Sequence, residues 1–331
     1  MAKKTEPKAE EIEKGETKQA AETVETPETS ESSETKKEKE INLDNFKELI
    51  DLVFSEQDIS KLRDFFYNHI RKILTRHPVS KKYLVLFLYD GNNSINEKMT
   101  DKIYAAIPED NTKPILLILH SKGGEVEPAY LISKTCKENT DNFVVAIPRR
   151  AKSAATLISL GAKEIHMGSM SELGPIDPQF GNLPALGLSS SLETIAKVVS
   201  RFPKSGDMFA EYLNKQLNLR ILGYFERVSE SAKQYAQRLL EDKETPKEIQ
   251  EIAHAFVYEY KDHSFVIDKE EAKKYLGDII KVNTDEYKLA NDIHKFMSNL
   301  NWIAGLVRKK NLEIVGSYKD FAITDVSNKD K

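Results

Sequence analysis

One cysteine, Cys136, and one tryptophan, Trp302, stand in a chain of 331 residues. A lone cysteine excludes an internal disulfide framework and a cysteine-rich metal site, and makes a reducing, cytoplasmic setting the expectation. No run approaches the ~20 apolar residues that a membrane span needs. The opening MAKKTEPKAEE lacks the apolar segment of a secretory signal. A basic excess is missing too: 49 Lys and Arg face 53 Asp and Glu, for a net charge of −4. Residues 1–41 hold 8 Lys and 12 Glu and so carry that whole deficit, which leaves the body formally neutral. A neutral body without a basic stripe interleaved with aromatics gives nucleic-acid binding no footing. His69, His77, His166, His254 and His294 are scattered without HExxH-type spacing, so no metal is expected. No cofactor is expected either.

Residues 1–41 are almost wholly Glu, Lys, Thr, Ser and Ala with no aromatic residue, a composition that buries too little apolar surface to offset the entropy of ordering. A disordered tail is the expectation there. From Asn45 to about Arg76, apolar residues recur at three-and-four spacing and predict one or two amphipathic helices. YLVLFLYD (83–90), KPILLILHS (113–121) and NFVVAIP (142–148) are apolar runs of strand length, and EIHMG (164–168) reads as a short fourth. Helical segments separate them. Continuous apolar strands alternating with helices imply a parallel sheet buried on both faces, hence an α/β domain. Beyond Asp177 the pattern turns irregular and then helical: 190–200, a long run from about Met208 to Asp242, a segment after Pro246, and 284–299. KDHSFVIDKEEAKKYLGDIIKV (261–282) predicts loop, helix and short strand.

In such sheets, sites gather where strand ends meet helix starts. Two junctions fit. SKGGE carries Gly123 and Gly124, which let a ligand approach the main chain, but its spacing matches neither a phosphate loop nor a dinucleotide fingerprint. RRAKSAATLISLGA carries Ser153 thirty residues later. The ordinary reading of Ser153 is a helix N-cap. The chemical reading is a nucleophile, with the N–H groups of Gly123 and Ala154 aimed at an oxygen beside its hydroxyl as an oxyanion hole. Arg149, Arg150 and Lys152 either bind an acidic substrate group or form a solvated strand end. His120 reads as a hydrogen-bonded structural histidine, and Trp302 as a core or oligomer contact.

Taken together, SKGGEVEPA, AKSAATLISLGAKEI and SELGPIDPQF resemble the serine dehydrogenase proteinase family, a branch of the ClpP/crotonase superfamily close to SppA peptidases and Clp proteolytic subunits. The resemblance covers roughly residues 80–282. It implies a ClpP/crotonase-like fold of repeated ββα units, with additional helices at both ends, and a homo-oligomeric serine peptidase. By position, Ser153 matches the nucleophile, Gly123 and Ala154 the oxyanion donors, Lys122 and Gly124 the substrate loop, and DHSFVIDKEEAKKYLGDI the stretch carrying the third triad member. Lys122 replaces the proline of the usual SPGG loop. Asp177 stands about where a Clp-type enzyme has its histidine, so the base is open.

Three schemes follow. His263 takes the Ser153 proton while Asp177 or Asp262 orients it; or a desolvated lysine, Lys197 or Lys204, is the base; or Ser153 is no nucleophile. Three functions are open: a serine peptidase acting on peptides or proteins, an inactive ClpP-fold scaffold, and a crotonase-like acyl-CoA enzyme using the same oxyanion hole on a thioester. No unfoldase motif is present, so folded substrates would require a separate unfoldase partner. The expected division is a tail (1–41), a helical extension (42–80), a catalytic domain (81–300) and a C-terminal extension (301–331).

Overall fold

The computed structural model describes residues 41–180, 183–216 and 219–325. The disordered tail expected at 1–41 lies almost entirely outside them. Two N-capped helices open the described chain, α1 (Phe46–Ser55) and α2 (Ile59–Arg76). The Asn45 side chain accepts from the Lys47 and Glu48 N–H groups, and Asp58 accepts from Ser60. Then strands and helices alternate: β1 (Leu84–Tyr89), α3 (Glu97–Ala105), β2 (Ile115–His120), α4 (Val126–Glu138), β3 (Phe143–Ile147), β4 (Arg150–Ala151), α5 (Ala154–Leu160), β5 (Glu164–Met167) and β6 (Glu172–Leu173). A hairpin of β7 (Gln179–Phe180) and β8 (Leu183–Pro184) leads to α6 (Ala185–Arg201), α7 (Gly206–Gln216), α8 (Leu219–Leu240) and α9 (Ile249–His254). The run expected from Met208 to Asp242 is thus two helices. α10 (Lys269–Leu276), β9 (Ile280–Val282), α11 (Asp285–Arg308), β10 (Lys310–Gly316) and β11 (Phe321–Asp325) complete the described chain.

The main sheet runs β11-β10-β1-β2-β3-β5-β9. From β1 to β9 the pairing is parallel, with Leu86 opposite Leu117 and Leu117 opposite Val145, whereas β10 and β11 join antiparallel. All six residues of β2 are buried. Alternation explains why the run is wholly apolar: Leu117 and Leu119 face one core with α3, α4 and α5, and Leu116 and Ile118 face another with α1, α2 and α11. This is an α/β fold with a mostly parallel central sheet and with helices before β1 and after β9. Residues 310–325, for which the sequence suggested no strands, extend the sheet by two.

A second, smaller layer grows from the carboxyl ends of the main strands. Ser121 bridges Ala151 in parallel, β4 pairs with β6 in parallel, and Leu173 bridges Ile267 antiparallel. The main strand followed by a short second-layer strand and then a helix, as in β3-β4-α5, is the ββα unit of the resemblance. Cys136 is buried in α4, and burial pushes its thiol up to about 12, far from the thiolate that redox or nucleophilic chemistry needs. Trp302 is not core: it is 59% exposed and lies against Phe46, ring centroids 5.9 Å apart. Among the described residues no helix is long and apolar enough to cross a membrane.

Candidate active site

The small layer gathers four distant segments. Its ladder passes through Ser121, Ala151, Leu173 and Ile267, each about 4.8 Å from the next across the ladder. Gly123 and Ser153 lie two residues beyond the first two rungs, Asp177 four beyond the third, and His263 four before the last. Backbone pairing thus converges residues that are 140 apart in the chain.

Ser153 sits at the head of α5 with φ 52° and ψ −120°, and its side chain makes no capping hydrogen bond. The N-cap reading therefore fails. Among the described residues, two other non-glycine residues have positive φ, Asn283 and Lys309. Lys309 rests in the ordinary left-handed helical region at a helix end, and asparagine tolerates positive φ. The ψ of Ser153 lies outside that region, so the residue is strained, at a cost of ~1–3 kcal/mol. What imposes the strain is a rigid frame: every residue of α5 is buried. Gly161, at its end, admits α4 so closely that a Cβ there would stand 1.9 Å from Ser133 Oγ. Ser133 in turn donates to the Ile158 carbonyl at 2.9 Å.

The glycine loop lies directly against the serine. A Cβ on Gly123 would stand 2.7 Å from Ser153 Cβ and 3.2 Å from the Ala154 nitrogen. Gly123 also has φ +114°. Gly124 abuts the Ile95 backbone, and the Ile95 N–H donates to the Gly123 carbonyl at 3.0 Å. Ala154 is the first residue of α5, where helix N–H groups have no partner in the preceding turn. The Gly123 N–H, by contrast, donates to Ser121 Oγ at 2.9 Å. Ser121 donates in turn to the buried Asp90 carboxylate, whose burial pushes its pKa up to about 8. Sequence reasoning missed this Asp90–Ser121–Gly123 chain; a serine two residues before the glycine was the available signal. Lys122 is exposed on the loop.

His263 Nδ1 faces Asp177 Oδ2 at 3.7 Å. Asp177 is 1% exposed, takes a hydrogen bond from Gln179 Nε2 at 3.0 Å, and keeps its other oxygen buried with no partner among the described residues. Asp262 turns instead to its own loop, accepting from the Ser264 N–H and hydroxyl at 2.8 and 2.7 Å, and those bonds hold its pKa below the usual value. Lys197 and Lys204 are exposed, on α6 and the short turn after it, and α6 packs against α7 and α8.

The basic preface divides. Lys152 binds the Ser264 and Phe265 carbonyls at 3.0 and 3.1 Å and pairs with Glu172 at 3.3 Å. Arg149 donates to the Met170 carbonyl at 2.6 Å. Among the described residues His120 Nδ1 is buried without a hydrogen-bond partner, and the His120 ring stacks on Tyr89 and meets His294 at a tilt, with centroids 4.6 Å apart in each case. Burial, helped by neighbouring His294 and the arginines, depresses its pKa to about 2, so it is neutral. Among the described residues no group of three or more His, Cys, Asp or Glu is placed to hold a metal ion.

Residues 93–300 match the family described as ClpP-like SDH-type serine proteinase. Two uncharacterized proteins of Methanocaldococcus jannaschii are similar at 31% identity over 181 residues and 29% over 178. Those alignments cover 55% and 54% of this chain, and the chain spans only 57% and 54% of the relatives' own length. Among solved structures, a variant of the 1510-N membrane-bound stomatin-specific protease aligns at 16% identity with a TM-score of 0.40, covering 66% of this chain and 86% of that one. A second variant of that protease, in complex with a substrate peptide, aligns at 15% identity and 0.39, covering 75% and 94%.

Proposed function

Because the chain belongs to the family of ClpP-like SDH-type serine proteinases, we propose that it is a serine peptidase of the Clp/SppA class with Ser153 as nucleophile. The observation that carries the reading is the backbone of Ser153: a strained φ of 52° at a strand-to-helix turn, with the hydroxyl left out of capping. Strain of this kind persists where a surrounding frame holds a side chain for chemistry.

His263 is the base of this reading and Asp177 its orienter. With Nδ1 turned to the acid, Nε2 is the ring nitrogen left for the serine proton, the division of labour of a Ser-His-Asp triad in another chain order. The 3.7 Å gap exceeds a hydrogen bond, and such contacts tighten when substrate binds. Ser153 Oγ attacks the peptide carbonyl as its proton passes to His263. The tetrahedral oxyanion rests on the Ala154 N–H and on Gly123, whose N–H is shared with Ser121. Collapse breaks the C–N bond, His263 returns its proton to the leaving amine, and water then hydrolyses the acyl-enzyme by the same base.

Peptides or unfolded protein segments are the substrates of this reading, a cytoplasmic homo-oligomer its working form, and a separate unfoldase its partner for folded substrates. A fluorophosphonate probe tests the core claim. Wild type should label and Ser153→Ala should not. Labelling that persists in the variant, or a wild type that neither labels nor cleaves peptides, overturns it.

A further inference from the structure

We infer that Lys152 is the positioning residue that sets His263 against Ser153, an inference that rests on the serine-peptidase reading above. An ammonium has three donors, and Lys152 has three acceptors: the Ser264 carbonyl at 3.0 Å, the Phe265 carbonyl at 3.1 Å and Glu172 Oε2 at 3.3 Å. The first two belong to the residues that follow His263. The third belongs to β6, the strand paired with β4 just before Ser153. One side chain therefore ties the histidine loop to the strand layer that holds the nucleophile.

The surroundings are shaped for this clamp. Both charged side chains are largely buried, 14% exposed for Lys152 and 13% for Glu172, so solvent screens the pair weakly. Gly174 leaves room for the lysine stem: a Cβ there would stand 2.7 Å from Lys152 Cδ. The Lys152 main chain is fixed as well, its N–H donating to the Ser121 carbonyl at 3.1 Å and its carbonyl accepting from Ala155 at 2.9 Å. By contrast the histidine loop is exposed at Asp262, Ser264 and Phe265, and Asp262 braces only its own turn. The lysine is thus a side-chain tie between the loop and the nucleophile strand, added to the Leu173–Ile267 bridge at the loop's far end, and with its donors spent it is not the acidic-substrate receptor its sequence position suggested.

The test is a cycle of labelling rates with a fluorophosphonate on the full chain. Lys152→Met should label roughly 10- to 100-fold more slowly, the scale of an angstrom-sized misplacement of a reacting group. Lys152→Arg, which keeps the donors, should recover most of that loss. In a His263→Ala background Lys152→Met should cost nothing further, because the lysine acts through the histidine. Gly174→Ala, which crowds the stem without removing the charge, should slow labelling in the same way and serves if Lys152→Met does not fold. A Lys152→Met or Gly174→Ala protein that labels as fast as wild type overturns the inference, as do losses that add to that of His263→Ala. An unlabelled wild type sinks the peptidase reading itself, a separate result.

Discussion

His263 Nδ1 stands 3.7 Å from Asp177 Oδ2, and both atoms' neighbourhoods leave polar capacity unspent: among the described residues, His263 Nδ1 and Asp177 Oδ1 are buried without hydrogen-bond partners. Buried polar groups without partners are costly, so the pair is poised to close rather than to stay apart. His263→Ala should slow fluorophosphonate acylation of Ser153 by about 10²–10⁴, the usual share of general-base catalysis. Asp177→Asn, which keeps the shape and removes the charge, should fall in the same range, because an amide cannot steady the imidazolium. Single-turnover labelling with each purified variant measures both. Equal rates for Asp177→Asn and wild type would remove Asp177 from the site.

The lysine alternative makes the opposite forecast. Lys197 and Lys204 are exposed, whereas a lysine acts as a catalytic base from a desolvated pocket. Lys197→Ala and Lys204→Ala should therefore retain labelling within about twofold. A loss comparable to that of Ser153→Ala would reinstate a Ser-Lys dyad.

These assignments show where the sequence was legible. Apolar runs such as ILLILH announced the central strands, because a strand buried on both faces has no polar alternation to blur it. The placement of Ser153, Gly123 and Ala154 at strand-to-helix junctions was readable because the local pattern itself changes there. The contact of Asp177 with His263 was not, since the two are brought together across the Leu173–Ile267 bridge, a pairing no local pattern announces. The same holds for β10, an antiparallel strand between β1 and β11 whose buried Glu313 is neutralised by Lys102 and so interrupts the apolar signal. Asp90 and Ser121 were likewise unremarkable until the β1–β2 register set them side by side.

Gly123→Ala should be the most damaging small change at the site. Its Cβ would press on Ser153 Cβ at 2.7 Å and on the Lys152 carbonyl at 2.8 Å, both attached to a rigid segment, at φ +114°. Backbone strain alone costs ~1–3 kcal/mol, and the serine must shift besides. Denaturant unfolding and Ser153 labelling should both register the change. Gly223→Ala is the matched control: Gly223 lies within α8 with nothing within 4 Å of the new methyl. It should stabilise the protein by ~0.5–1 kcal/mol, the helix preference for alanine, and leave labelling untouched.

Asp90 gives the fold a pH dependence that can be checked without any activity. Its carboxyl is buried, accepts from the Ser121 hydroxyl, and has its pKa pushed up from 3.8 to about 8, first by burial and against the pull of the Ser121 bond and of Arg150; Glu313 adds to the rise. A folded-state pKa above the unfolded one means that the native state holds the proton more tightly, so stability is full below about pH 4 and declines as pH rises toward about 8. The slope contributed by this one group approaches about 1.4 kcal/mol per pH unit at its steepest. Asp90→Asn removes the titration while retaining an acceptor for Ser121, and its stability profile should lose that decline, leaving the variant more stable than wild type near pH 8. Ser121→Ala should do the reverse: it strips the carboxylate of its donor and the Gly123 N–H of its acceptor, costing ~1–3 kcal/mol at pH 8 and less at low pH, where the carboxyl is neutral. Urea unfolding at a series of pH values distinguishes the two. A wild-type profile that runs parallel to that of Asp90→Asn from pH 4 to pH 8 would show that Asp90 titrates as an ordinary carboxylate, and the buried Asp90–Ser121–Gly123 chain would then be charged throughout.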